Sequence, residues 1–345
     1  MTRRPLIALI GFALITLLLV SCNSGGGSAN DLVKLQGAGA SFPAPLYNKW
    51  FKAYGASHPN VQVDYQSVGS GGGKKSVIDK TVDFGASDAA MTDEEMGRVQ
   101  GGVQLLPMTA GAIVIAYNVD GVSDLKLSRK AYVGIFQGKI KKWNEKEIAS
   151  ANPGAKLPNL PINVVVRADS SGTSFVFSKH LSAVSEDFNK AVGTNTMPNW
   201  PVGTKSKGNE GVTASLKTTP GSIGYIEYGY AKSQNLAMAT LENKAGKYVA
   251  ATTASGQAAL GSAELPDNLI VWASDPTAAD AYPIVTYTWM IFYKKYPDAK
   301  KLAAIQDMVK YGLGEGQKDA EALGYIPLPA NVVAKDTAAL ANITN

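Results

Sequence analysis

The sequence predicts an α/β fold with largely parallel sheets. Short β-branched runs alternate with helical stretches from Val33 onward, which is typical of strands joined by helices. The composition, 45% apolar and 18% charged, is that of a globular protein with a substantial core. Two apolar runs, Ala110–Asn118 and Tyr282–Tyr293, are each long enough to pass through one sheet and toward another. We expect these runs to be two crossovers between lobes, with the following boundaries: lobe 1 at 34–109 and 287–345, lobe 2 at 110–286.

Further elements can be predicted in chain order. Val61–Val68 alternates like a strand and is followed by the glycine-rich turn Gly69–Gly73 and a short helix. Val82–Ser87 predicts a second strand, and Thr92–Glu95 carries the T-x-x-E pattern of a helical capping box. Ile162–Val166 predicts a third strand.

Two longer helices are expected in the second half of the chain. Ser170–Val184 predicts a helix directly after the third strand. Leu302, Ile305, Val309 and Leu313 recur at helical spacing, so this C-terminal helix should bury one face.

The N-terminus predicts a bacterial lipoprotein signal over 1–21. Arg3 and Arg4 form a basic region, and Pro5–Val20 is uncharged but shorter than the roughly 18 residues that a membrane span needs. Cys22, the only cysteine, cannot form an internal disulfide, and its thiol sulfur is the expected site of lipid attachment. The Gly/Ser-rich segment 22–33 is a flexible tether. These features predict a periplasmic or otherwise extracytoplasmic protein anchored to the membrane through lipid.

The charge argues against nucleic acid as a partner. The chain has 33 basic and 28 acidic residues, and loss of Arg3 and Arg4 with the signal leaves 31 basic residues, a net charge of about +3. This is too mild for a nucleic-acid surface. The basic run Lys139–Trp143 is interpreted as a solvated loop with a buried tryptophan, or less readily as a patch that contacts a partner.

Polar residues follow the predicted strands at the positions where α/β sheets bind ligands. Three of these stretches also open a predicted helix, whose free amides and positive dipole end favour an oxyanion. The candidates are Ser41, Phe42, Ser70, Asp88, Arg167, Ser171, Gly172 and Thr173.

Each candidate also has a purely structural interpretation. Ser41 and Asp88 are each of a type that caps helices, although Thr92 already supplies a cap near Asp88. Arg167 can be a surface charge paired with Asp169. Singly we favour these structural roles; their coincidence at four strand ends favours a shared anion site.

Other chemistries are poorly supported. The turn at Gly69–Gly73 matches a P-loop only loosely, and Phe42 stands where a dinucleotide fingerprint requires its third glycine. The two histidines are His58, in a turn, and His180, on a helix; no metal-binding cluster or cofactor motif accompanies them.

Seven ordered motifs, from about Leu35 onward, resemble the substrate-binding protein of the bacterial phosphate ABC importer. They are GAGASFPAPLYNKW, YQSVGSGGG, VDFGASDAAMTDEE, GKIKKWNEKEIA, VVVRADSSGTSFVF, KGNEGVTA and PGSIGYIEYGYAK. The resemblance implies a two-lobed periplasmic-binding-protein fold of the two-crossover type, with one inorganic phosphate in the interlobe cleft. It also implies a monomer that delivers phosphate to membrane permease subunits and uses no cofactor. The segment 244–272 and the tail after Leu328 match weakly.

Carried over motif by motif, the resemblance assigns phosphate binding to the residues that strand-end reasoning had marked, with Phe42 and Gly172 contributing their amides. Asp88 is expected to discriminate, because a carboxylate only accepts hydrogen bonds and therefore rejects sulfate, which has no proton. Asp169 is expected to orient Arg167. Two alternatives stay open: a phosphatase or esterase with Ser70 or Ser171 as nucleophile, and a binder of another oxyanion such as sulfate or molybdate.

Overall fold

The computed structural model describes residues 32–261 and 263–345. The predicted signal sequence 1–21, Cys22 and almost all of the tether 22–33 lie outside the described residues. Within the described residues, no helix is both long enough and apolar enough to cross a membrane.

The described part of the chain contains strands and helices in frequent alternation. The strands are β1 (Val33–Gly39), β2 (Val61–Ser67), β3 (Phe84–Ser87), β4 (Val103–Asn118), β5 (Lys126–Leu127), β6 (Asn163–Arg167), β7 (Thr204–Ser206), β8 (Ser222–Glu227), β9 (Ala237–Met238), β10 (Thr240–Glu242), β11 (Tyr248–Val249) and β12 (Val285–Tyr293). The helices are α1 (Ala44–Ser57), α2 (Ser70–Ile78), α3 (Asp93–Gly97), α4 (Arg129–Phe136), α5 (Lys146–Ala149), α6 (Gly172–Val184), α7 (Glu186–Ala191), α8 (Gly208–Thr218), α9 (Tyr228–Ser233), α10 (Thr253–Leu260), α11 (Ala299–Leu313), α12 (Gln317–Leu323) and α13 (Ala330–Leu340).

Most strands form one mixed sheet in the order β2-β1-β3-β12-β4-β8-β6-β7, with β9 on β4. The pairs β1–β2, β1–β3, β6–β7 and β6–β8 are parallel. The first half-sheet consists of β1, β2, β3, β12 and the first part of β4, and the second half-sheet consists of β6 to β9 and the rest of β4. A separate small sheet is formed by β5, β10 and β11.

The two long apolar runs form strands β4 and β12. β4 contributes to both half-sheets, whereas β12 pairs with β3 and β4 of the first, and the expectation that both runs are crossovers between lobes stays a prediction. β12 runs antiparallel to β4 from Val285, opposite Ala112, to Tyr293, opposite Val103. Beyond that pairing, Ile113–Asn118 of β4 pairs antiparallel with β8. Nearly every residue of both strands is buried, so their continuous apolar character follows from having helices on both faces. β4 begins at Val103, earlier than the run from Ala110 suggested.

The glycine-rich stretch after β2 is not a separate turn, which corrects the sequence interpretation. Ser70–Gly73 forms the first turn of α2. Glycine is required there by close packing: a Cβ on Gly73 would lie 2.5 Å from the Gly39 Cα and 2.7 Å from the Ala86 carbonyl oxygen. The only strained backbone in this turn is at Gly69, whose φ of 85° favours glycine.

Several local predictions are confirmed. Thr92 and Glu95 form a complete capping box at α3. Ile305, Val309 and Leu313 are buried on α11. Trp143 is fully buried, while Lys141 and Lys142 are exposed. The side chain of His180, on α6, is buried in the core.

Candidate anion-binding site

The predicted site residues lie together at the carboxyl ends of parallel strands. Ser41 follows β1, Asp88 follows β3 and Arg167 ends β6. Because the ends of parallel strands meet at one edge of a sheet, the two half-sheets bring these side chains face to face. All of the predicted side chains are buried, with exposed fractions as follows: Ser41 1%, Phe42 0%, Ser70 0%, Asp88 1%, Arg167 5%, Ser171 0% and Thr173 0%.

The two halves approach each other closely at Gly172, the first residue of α6. A Cβ at this position would lie 2.4 Å from Ser70 Oγ and 2.5 Å from Asp88 Oδ2. No side chain fits here, so only glycine permits this close approach of α6 to the two polar groups. The adjacent backbone is also in contact, since the Gly71 amide donates to the Ser170 carbonyl oxygen at 2.9 Å.

Helix α6 presents its N-terminus to the same point. The Ser171 hydroxyl oxygen caps the helix by accepting from the Ser174 amide at 3.0 Å, which leaves its own proton free to donate. The amides of Gly172 and Thr173 belong to the first turn and have no acceptor inside the helix. A helix end with this geometry stabilises negative charge.

Phe42 lies beside Ser41 with its ring in the core. Its carbonyl oxygen accepts from the Tyr325 hydroxyl at 2.7 Å, and its ring packs against Gly111 of β4. Ser41 does not cap α1, which begins later, at Ala44 with Pro43 as N-cap. The cap interpretation of Ser41 is therefore wrong, and its hydroxyl is available to the site.

Asp88 is a buried carboxylate that has few partners. The Thr288 hydroxyl donates to Oδ1 at 2.9 Å, and the Asp88 amide donates to Ser70 Oγ at 3.2 Å. Oδ2 lies toward the opposite half, 2.5 Å from the position that a Cβ on Gly172 would occupy. Burial raises the pKa of Asp88 to about 7, against the hydrogen bonds of Thr288 and Ser70 and the charge of Arg167, which favour the ionised form.

Arg167 is held by Asp169 in a two-point ion pair. Nε donates to Oδ1 at 2.8 Å and Nη2 to Oδ2 at 2.5 Å, while Nη1 points to Thr173 Oγ1 at 3.3 Å. Burial alone would raise the pKa of Asp169, but the hydrogen bonds and charge of Arg167, with the Gly208 amide, hold it below its usual value. The ion pair fixes the plane of the guanidinium. The guanidinium still directs donors into the site.

Sequence reasoning missed Asn209, a buried residue at the start of α8. Its amide nitrogen Nδ2 donates to Ser41 Oγ at 2.9 Å and to Thr173 Oγ1 at 3.3 Å, and its backbone amide also donates to Ser41 Oγ at 3.0 Å. Oδ1 accepts from the Glu227 amide at 3.0 Å. Its motif KGNEGVTA supported the resemblance, but β7 before it is only Thr204–Ser206, too short to be recognised as a strand end.

Thr288 and Glu227 were missed as well. Thr288 lies within β12, where a threonine is an ordinary strand residue and carries no signal. Glu227 ends β8, is fully buried, and caps α9 by accepting from the Gly229 amide at 2.8 Å. Burial raises the pKa of Glu227 well above its usual value.

The described residues offer no support for hydrolytic or metal chemistry at this point. His180 is buried in α6 with Nε2 at 3.0 Å from the Tyr132 hydroxyl, and His58 lies at the end of α1 beside Tyr54. Within the described residues, neither histidine forms a hydrogen bond with Ser70 or Ser171. No cluster of histidine, cysteine and acidic residues suited to a metal occurs among the described residues.

Comparison with known proteins identifies the family of the chain. The profile of the PBP superfamily domain matches residues 24–309. The chain is 39% identical over 307 residues to the phosphate-binding protein PstS of Xylella fastidiosa (strain 9a5c), covering 87% of this chain and 83% of that protein. It is also 39% identical over 305 residues to PstS of Pasteurella multocida (strain Pm70), covering 87% and 88% of the two chains.

A solved structure shares the fold. The phosphate-bound, high-affinity periplasmic phosphate-binding protein PfluDING superposes with a TM-score of 0.73 at 22% identity, covering 89% of this chain and 93% of that one. The mixed α/β fold is therefore that of the periplasmic binding proteins. With a superfamily profile over most of its length and relatives at 39% identity, the chain belongs to the PstS family of phosphate-binding proteins within the PBP superfamily.

Proposed function

We propose that the protein binds one inorganic phosphate between its two half-sheets and delivers it to the permease of an ABC importer. The observation that carries this proposal is Asp88, a buried carboxylate whose Oδ2 lies beside the first residue of α6 and whose charge interacts with that of Arg167. The ligands would be Ser41, the Phe42 amide, Ser70, Asp88, Arg167, Ser171, the Gly172 amide and Thr173. Asp169 would orient Arg167 without touching the ligand.

The donor and acceptor pattern selects a protonated anion. Hydroxyls, amides and a guanidinium donate to the oxygens of a tetrahedral oxyanion, and one carboxylate can only accept. Phosphate near neutral pH keeps at least one proton, which pairs with Asp88, whereas sulfate keeps none. A sulfate oxygen would therefore face Asp88 Oδ2 with no hydrogen between them, at a cost of about 1 to 3 kcal/mol or more. Selection works by rejecting the wrong ligand.

The charge of the ligand would be met mostly by dipoles. Arg167 is already paired with Asp169 at 2.5 Å, so the two charges largely cancel. Asp88 adds a further negative charge at the site when ionised. Attraction for the anion then comes from hydroxyl groups and from helix amides that are directed at it before it arrives, which avoids the cost of reorganising them.

The two half-sheets would act as lobes that close over the ligand. The proposed lobes are 34–109 with 287–345, and 110–286, joined by β4 and β12. Direct contacts support a closed form: the Tyr230 hydroxyl donates to the Ser41 carbonyl oxygen at 2.7 Å, and Asn209 donates to Ser41 Oγ. Lobe closure around a ligand is a familiar hinge motion, and it would dehydrate the anion and present one surface to the permease.

The place of action is proposed to be the cell exterior side of the cytoplasmic membrane. The N-terminal sequence supports a lipid on Cys22 and a flexible tether that keeps the binding domain near the permease. A related structure is described as periplasmic, which agrees with this location.

Titration of the purified protein tests the proposed function. Isothermal calorimetry with phosphate, sulfate and arsenate should give one phosphate per chain and much weaker sulfate binding. A chromogenic phosphoester should not be hydrolysed. Absence of phosphate binding at millimolar concentration, or equal affinity for sulfate, would contradict the proposal, and turnover of the phosphoester would favour the hydrolase alternative.

A further inference from the structure

The carboxylate of Asp88 is held by a residue from a distant part of the chain. Thr288 lies in β12, 200 residues away in sequence, and its hydroxyl donates to Asp88 Oδ1 at 2.9 Å. Thr288 itself is fully buried. β12 pairs with β3, and in this pairing Ser87 lies opposite Trp289. Asp88 follows Ser87 and Thr288 precedes Trp289, so the strand pairing fixes the distance between the side chains of Asp88 and Thr288.

The two oxygens of Asp88 have different surroundings. Oδ1 accepts the hydrogen bond from the Thr288 hydroxyl on the side of β12, while Oδ2 lies 2.5 Å from the position that a Cβ on Gly172 would occupy. Ser70, on the same half as Asp88, also favours the ionised carboxylate through a side-chain hydrogen bond. Oδ2 faces the opposite half and is therefore the oxygen that is placed to accept a hydrogen bond from a ligand.

We infer that Thr288 is a specificity-determining positioning residue, which keeps Asp88 ionised and turns Oδ2 toward the ligand proton. This inference rests on the proposed function, and it extends that function to a residue that does not contact the ligand. A hydrogen bond to the charged form of an acid favours that form. Since only an ionised Asp88 is restricted to accepting, the Thr288 proton sustains the rejection of sulfate.

The other groups around Asp88 do not replace this role. Arg167 is the cation that favours ionisation, but it is paired with Asp169, whose negative charge opposes ionisation. Glu227 also interacts with Asp88 as a like charge. Four tyrosines also interact with the charge of Asp88, and their pKa values are raised mainly by desolvation and in part by that charge, so they stay neutral at physiological pH. Tyr47 and Tyr325 are fully buried, and Tyr65 and Tyr230 are partly buried.

The sequence offers a matched set of variants. Thr288→Val keeps the shape and removes the hydroxyl, and Thr288→Ser keeps the hydroxyl and removes the methyl. Thr286→Val is the control, because Thr286 is a buried threonine of the same strand whose hydroxyl donates to the Tyr287 carbonyl oxygen instead.

The readout is the ratio of phosphate to sulfate affinity, measured by calorimetry from pH 5.5 to 9. In Thr288→Val we expect the ratio at pH 7 to fall at least fivefold, to about one-fifth or less, because loss of a hydrogen bond to a charged group raises the pKa of Asp88, and the protonated acid donates to sulfate. Selectivity should return at higher pH, with its midpoint moved upward by about one pH unit. Thr288→Ser and Thr286→Val should keep the profile of the parent.

The outcomes separate the inference from the proposed function. A parent protein that does not bind phosphate overturns the proposed function itself. A selective parent together with an unchanged profile in Thr288→Val overturns the role of Thr288 and leaves the proposed function standing. Equal losses in Thr288→Val and Thr288→Ser would also overturn it, because the effect would then come from packing of the methyl group.

Discussion

Replacement of Asp88 by asparagine gives the sharpest test of how the site selects its ligand. In the parent, sulfate would leave the buried Oδ2 without a donor, a penalty of about 1 to 3 kcal/mol that corresponds to roughly 5- to 150-fold in affinity. In Asp88→Asn one of the two atoms becomes an NH2 group, which can donate to a sulfate oxygen. The phosphate-to-sulfate ratio should therefore fall at least about fivefold.

The affinity for phosphate should change less than this ratio. The variant loses an acceptor for the phosphate proton, but it also loses a negative charge beside an anion, and the two effects oppose each other. Thr288 can donate to the amide oxygen or accept from the amide nitrogen, so either orientation of the side chain can be accommodated. Calorimetric titration with both anions at pH 7.5 measures the two affinities directly.

A matched control is Asp93→Asn, which removes the same charge from the exposed first turn of α3. It should leave both affinities unchanged. The reasoning is refuted if Asp88→Asn prefers phosphate over sulfate as strongly as the parent does.

Three further outcomes are expected. Arg167→Ala should weaken phosphate binding at least about 30-fold by calorimetry, since it leaves Asp169 unpaired. The control is Arg129→Ala, which breaks an equivalent two-point pair with Asp275, of lengths 2.6 and 2.8 Å, outside the site; it should lower stability and leave the affinity within about threefold. Similar affinities in both variants would contradict the role of Arg167. Sulfate affinity of the parent should rise as pH falls below about 7, because burial raises the pKa of Asp88 to about 7 and the protonated acid can donate; a flat pH profile would contradict this. Asp336→Asn should raise the melting temperature at pH 8 to 9 by at least a few degrees, with no comparable gain at pH 4. The exposed control Asp267→Asn should show no gain at either pH. An equal gain of Asp336→Asn at both pH values would contradict this prediction.

The sign of the Asp336 effect follows from its surroundings. Both carboxylate oxygens are buried without a hydrogen-bond partner within the described residues, and burial raises the pKa from 3.8 to about 8. The unfolded chain therefore releases this proton at lower pH than the folded protein. Stability is lost as pH rises from about 4 to about 8, and the full cost, roughly 6 kcal/mol as an upper bound, is present above that range.

Much of the fold could be predicted from local sequence. Strands such as β2 and β3 and helix α6 follow from alternation, apolar runs and capping residues, which depend on neighbours in the chain. The long buried strands β4 and β12 were predictable because strands buried on both faces need long apolar runs. The first turn of α2 could not be predicted, because glycine disfavours helices. Its glycines are explained by close contacts with distant residues: Gly73 with β1 and β3, and Gly71 with Ser170.

The candidate site was predictable in part for a similar reason. Strand-end reasoning marks Ser41, Asp88 and Arg167 because the topology of parallel sheets brings strand ends together. Asn209 and Thr288 were not predictable, because their importance depends on contacts with Ser41 and Asp88 across 168 and 200 residues of sequence. Membership of a family of binding proteins confirms the resemblance and the expectation of a binding protein rather than an enzyme. The ligand roles of single residues stay predictions.

The most direct test of the account is an experimental structure of the purified protein grown with millimolar phosphate. We predict one tetrahedral anion with one oxygen within hydrogen-bond distance of Asp88 Oδ2 and others near Arg167 and the first amides of α6. An empty site at that concentration, an organic ligand in its place, or an anion that does not touch Asp88 would contradict the account.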